Sequence, residues 1–149
     1  MTSSTIRSGG SNWGYAVSST VARRGLLDTP VLLAIQTGDA AALQFASDMY
    51  KTVGLEFSEL SAMVLLASSI DSAEQVARRG FIRSNPVHRL TAAISRRAFA
   101  LLVSLPVPST LTADDAIVAA TAIEHSLPLY TLDPARFANL PGLVTIKPY

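Results

Sequence analysis

Two short apolar runs end in the same way, and this repetition restricts the fold more than any other feature of the chain. Residues 25–28 read GLLD and pass into Thr29-Pro30, while residues 128–133 read PLYTLD and pass straight into Pro134. Proline has no N–H to give a ladder but suits the first turn of a helix. Each run is therefore predicted to be a buried strand that turns into a helix at its aspartate. Asp28 and Asp133 then stand at the carboxyl ends of strands, the edge of an open parallel sheet where ligands bind.

Between these runs, strand and helix signals alternate. Residues 39–52 carry Leu43, Phe45, Met49 and Tyr50 near helical spacing behind Gly38, and residues 53–58 are predicted as a second strand. Ser61 reads as the cap of a helix over AMVLLASSI, followed by a polar helix over residues 71–85 that Pro86 ends. Residues 87–90 make a short third strand. Thr91 caps an amphipathic helix through Leu105, with Ile94, Ala98, Leu101, Leu102 and Leu105 as one apolar stripe. Thr112 opens the helix TADDAIVAATAIEHS, residues 134–140 a short one, and residues 143–146 a last strand. Such alternation predicts an α/β protein of three layers, helices on both faces of a central parallel sheet of four or five strands. One domain over residues 23–149 accounts for the length. Residues 1–22, rich in Ser, Thr and Gly, read as a flexible arm that carries the aromatic residues Trp13 and Tyr15.

Composition removes most alternative chemistries. The chain has no cysteine and two histidines, His88 and His125, so thiolate nucleophiles and zinc-thiolate sites are excluded and a reducing cytoplasm is the expected compartment. No apolar run reaches the roughly 18 residues of a membrane span. Ten of the twelve basic residues are arginine, six of them in the pairs Arg23-Arg24, Arg78-Arg79 and Arg96-Arg97. Paired guanidiniums can clamp phosphates, although any one pair is more simply a solvated helix face. His125, following Glu124 at a helix end, reads as a cation on the helix dipole.

The chemistry that remains is carboxylate chemistry. Asp114 and Asp115 lie in the first turn of the helix that Thr112 caps, and successive helical residues point about 100° apart, so one of the two can face the sheet. Ala116, Ala119, Ala120 and Ala122 make that helix slim enough to bring its first turn close to the strand ends. Taken singly, Asp28, Asp115 and Asp133 are each a helix cap before they are ligands. Taken together in one cleft, they would repel one another until a cation answered them, and with oxygen donors alone that cation is Mg²⁺ or Mn²⁺.

The segments GLLDT, DDAIVAATAIEHSLPLYTLD and LPGLVTIKPY resemble PIN-domain proteins, particularly VapC-like ribonuclease toxins of bacterial toxin-antitoxin pairs. The resemblance runs from about Arg24 to Tyr149, and its C-terminal part is the more specific. It implies a PIN-like fold and a Mg²⁺-dependent endoribonuclease, often a homodimer, acting on RNA and neutralised by a small cognate antitoxin protein. It also implies that Asp28, Asp115 and Asp133 hold the metal, with Thr29, Asp114 and Thr131 beside them. Two positions depart from the family pattern. A glutamate is expected shortly after a Ser or Thr in the helix following the second strand; counted from Ser61, Val64 stands there, with Glu59 the nearest acid that could substitute. Pro30 replaces a residue with a polar side chain and a backbone donor. A degenerate PIN domain that binds partners without catalysis is therefore the alternative. A receiver-like domain, which needs its paired acids early in the chain, fits less well.

Overall fold

The computed structural model describes residues 22–149; the proposed arm, with Trp13 and Tyr15, lies outside the described residues except for Ala22, which packs partly on the core. Five strands form one parallel sheet: β1 (Leu26–Leu27), β2 (Glu56–Ser58), β3 (Val87–His88), β4 (Leu129–Tyr130) and β5 (Thr145–Ile146), in the spatial order β3-β2-β1-β4-β5. The helices are α1 (Thr29–Gln36), α2 (Ala40–Tyr50), α3 (Glu59–Ala67), α4 (Ser72–Arg83), α5 (Ala92–Ser104) and α6 (Ala113–Glu124), with a 3-10 helix at Pro134–Phe137. The expected three-layer α/β/α architecture is what the chain forms.

Successive strand residues face opposite sides, so β1 and β4 each feed two cores. Leu26 and Leu129 pack with Ile94, Leu101, Ala116, Ala119, Ala120 and Phe137 under α5 and α6. Leu27, Phe57 and Tyr130 pack with Val31, Leu32, Met49 and Leu65 under α1, α2 and α3. Gly25 is required by close approach, since a Cβ there would lie 2.6 Å from the ring of Tyr130. Gly38, at φ +81°, ends α1 in a conformation that glycine adopts without strain.

Several boundaries differ from those read in the sequence. The strands are shorter: that predicted over residues 53–58 starts at Glu56, because residues 51–53 turn and Gly54 takes φ +78°. The helix assigned to Ser61 begins at Glu59, with Ser58 as its cap through a bond from Ser61 N to Ser58 Oγ of 3.1 Å. The helix expected over residues 134–140 is a single 3-10 turn. On α5, Ile94, Ala98 and Leu101 are buried, whereas Leu102 turns outward. Among the described residues no helix is long and apolar enough to cross a membrane.

Candidate active site

In the strand order, β1 is flanked by β2 on one side and β4 on the other, so the chain crosses over between β1 and β4. This is the switch point of the sheet, where helices leave in opposite directions and open a crevice at the carboxyl edge. Asp28 stands at that point. It caps α1, accepting from Thr29 N at 2.9 Å, and its other oxygen accepts from Thr131 Oγ1 at 2.8 Å. Its side chain is nearly enclosed. Burial pushes the carboxyl above its ordinary range, Asp115 adds to the rise, and the bonds from Thr131 and Thr29 N and the charge of Arg136 oppose it.

Asp115 reaches the same edge from α6. Thr112 Oγ1 accepts from Asp115 N while Asp115 Oδ2 accepts from Thr112 N at 3.0 Å, a reciprocal capping box. The alanines behind it are fully buried, which lets α6 lie close to the sheet. Asp114 is exposed, so Asp115 is the one of the adjacent acids that faces inward. Asp133 caps the 3-10 helix, accepting from Arg136 N, and its own N–H donates to Thr131 Oγ1 at 3.2 Å. Thr131 thus ties the ends of β1 and β4 together.

The three aspartates share this edge, but their capping roles hold them apart: among the described residues no three acids converge as a ready metal cage. The full convergence expected from the sequence is not found. Arg136 stands between two of them. Its Nη1 lies 3.1 Å from Asp115 Oδ2 and its Nε 3.6 Å from Asp133 Oδ2, so a guanidinium already answers two of the acids. The donor set, oxygen only and already holding a cation, fits a hard divalent ion by its chemistry.

The α3 residue that meets the start of α1 is also not the one expected. With Ser58 as the cap, Ser61 sits at the third helical position, fully buried, 2.8 Å from Thr29 Oγ1 and 3.0 Å from Ser58 Oγ. Val64 is half-buried one turn on, about 4.5 Å further along the axis. The site therefore meets a serine hydroxyl on α3 rather than the valine, because the helix starts earlier than Ser61. Glu59 turns to the segment after β3, accepting from Leu90 N at 2.7 Å and Arg89 Nη1 at 3.2 Å. Pro30 sits in the first turn of α1, where its missing N–H is no loss to the helix.

Ser61 was read in the sequence only as a helix cap, and Arg136 was not singled out. The signal for Arg136 was its place three residues after Asp133 behind a proline, since residues i and i+3 eclipse in a 3-10 turn. One member of each arginine pair is bound internally: Arg24 to Glu56, Arg78 to Glu74 and Arg97 to Glu124. His125 does cap α6, but its ring lies 4.1 Å from that of His88, and burial followed by that neighbour lowers its pKa. It favours the neutral ring rather than the dipole-bound cation expected.

No family model matches the chain, and no characterised protein matches it by sequence. Solved structures do match. A toxin-antitoxin complex from Klebsiella pneumoniae superposes with a TM-score of 0.69 at 25% identity, over 85% of this chain and 98% of that one. DNA-bound VapBC from Salmonella typhimurium gives 0.68 at 17% identity, over 83% and 97%. VapC20 of Mycobacterium tuberculosis, a sarcin-ricin-loop-cleaving toxin, gives 0.62 at 21% identity, over 82% and 98%.

Proposed function

We propose that this chain, VapC-like in its PIN fold, is the ribonuclease toxin of a toxin-antitoxin pair, hydrolysing RNA phosphodiesters with Mg²⁺ or Mn²⁺ at Asp28, Asp115 and Asp133. The observation that carries the reading is the enclosed Asp28 at the β1/β4 crossing, with its carboxyl raised by burial and by Asp115. The likeness to solved toxins, one of them a sarcin-ricin-loop-cleaving toxin, supports it. An RNA substrate, a small cognate antitoxin, a homodimer and a cytoplasmic setting belong to the same proposal.

In this reading the ion, when bound, supplies an activated water and neutralises charge on the phosphodiester. The protein's own part is to hold donors still. Thr29 N and Thr131 Oγ1 fix the two Asp28 oxygens, Thr112 N fixes Asp115, and the Ser58–Ser61–Thr29 hydroxyl chain braces α1 against α3. Single-stranded or loop RNA is the fitting substrate class, because unstacked bases are open to readout. The test is cleavage of structured RNAs with Mg²⁺ or Mn²⁺ by the wild type and by Asp115→Asn. Loss of cleavage in the variant is expected; equal cleavage by both would sink the assignment.

One observation favours a second reading, a PIN domain that binds partners without catalysis: on α3 the residue beside Thr29 is Ser61, a hydroxyl and not a carboxylate. Ser61→Glu separates the two. Cleavage gained by that variant from an inactive wild type supports degeneracy, whereas a wild type that already cleaves RNA rejects it.

A further inference from the structure

Arg136 is not among the residues that the resemblance assigns to the site, yet it contacts two of its acids. It leaves the 3-10 helix immediately after β4, with its Nη1 3.1 Å from Asp115 Oδ2 and its Nε 3.6 Å from Asp133 Oδ2. Two of the three candidate ligands therefore share one guanidinium.

The geometry points to Arg136 as an internal cation that latches Asp115 and Asp133 in the metal-free protein and competes with a divalent ion for them. The inference rests on the metal-site reading above. Asp115 Oδ2 accepts both from Thr112 N at 3.0 Å and from Arg136 Nη1 at 3.1 Å, so the guanidinium occupies the carboxylate that would be a ligand. Two positive groups on one carboxylate repel at short range, and little dielectric screening separates groups at contact. Arg136 is the member free to leave. Its side chain is 41% exposed, while that of Asp115 is 14% exposed and pinned by its capping box.

A partly exposed two-carboxylate ion pair contributes modestly, so the competition is worth a small factor in affinity. Titration calorimetry with Mn²⁺ on the full chain, wild type against Arg136→Met and Asp28→Asn, measures it. Arg136→Met is expected to bind about threefold to fivefold tighter than the wild type, and Asp28→Asn to lose the site. Independently of any variant's folding, the Nε–Hε resonance of Arg136 should move towards that of a free arginine as Mg²⁺ is added to the wild type. An unchanged or weaker affinity in Arg136→Met, or an unmoved resonance, overturns the latch while binding sensitive to Asp28→Asn keeps the metal site standing. Mn²⁺ binding that Asp28→Asn leaves intact overturns both.

Discussion

Asp28 carries a cost in the metal-free fold that its neighbours only partly offset. Burial raises its carboxyl above the ordinary 3.8, and the bonds from Thr131 and Thr29 N do not bring it back. The folded chain therefore holds this proton more tightly than the unfolded chain does. Linkage then makes stability fall as pH rises from about 4 through the raised value, so at neutral pH the ionised group destabilises the fold. Asparagine keeps the geometry: its oxygen can accept from Thr29 N and its amide can donate to Thr131 Oγ1. Asp28→Asn is expected to melt a few degrees above the wild type at pH 7 without metal, with the gap closing near pH 4. Thermal melts across that range check it, and a lower melting temperature for the variant at pH 7 contradicts it. A cap chosen for stability alone would not be buried in this way.

Elements set how far such residues can reach. Helix α6 brings Asp115 to the edge because Ala116, Ala119, Ala120 and Ala122 let its backbone approach the sheet. Ala119→Leu adds volume one turn from Asp115 in a fully packed layer, and overpacking of this kind costs about 1–3 kcal/mol. Urea unfolding should show that loss, and Mn²⁺ binding should weaken with it; a variant unchanged in both would mean that slimness does not position Asp115. The other end of α6 is pH-sensitive. Burial, then His88, hold the His125 pKa below the ordinary 6.5, against the opposing charges of Glu56 and Glu124 and with that of Arg24. The unfolded chain protonates first, so stability is full above 6.5 and declines as pH falls through that value. His125→Asn, still a competent helix end, should flatten the decline in melting temperature between about pH 7 and pH 5. An identical slope would exclude His125 as the source. This element also shows where reading by sequence ends. Thr112, Asp115 and the alanines announced the capped, slim helix, because caps and small residues act locally. That His125 meets His88 depends on two segments far apart in the chain, and no local rule encodes it.

At the scale of the whole molecule, the order of strands and helices was legible because proline and glycine punctuate it: Pro30 and Pro134 open helices, Gly38 closes one and Pro86 ends another. The sheet's carboxyl edge, and with it the placement of Asp28 and Asp133, followed from that order. The site's inner contacts did not. Ser58 and Ser61 both sit near the start of α3, and only the packed hydroxyl chain to Thr29 decides which of them caps and which faces the site. Arg136 likewise acquires its role from Asp115, twenty-one residues away on another element. The consequence is a molecule whose acids are held by caps and a guanidinium, the arrangement that the proposed ion would have to displace. An ion that binds only the folded state adds RT ln(1 + [L]/Kd), about 2.7 kcal/mol at a hundredfold excess over Kd. Without metal, Asp28→Asn should be the more stable protein. At saturating Mn²⁺ the wild type should gain that increment and the variant, short of a ligand, should gain little, so their melting temperatures should change order. The crossing is the decisive feature, because nonspecific Mn²⁺ effects raise or lower both proteins alike. If the two rise together and keep their order, Asp28 is a cap with an unusual carboxyl and not a metal ligand.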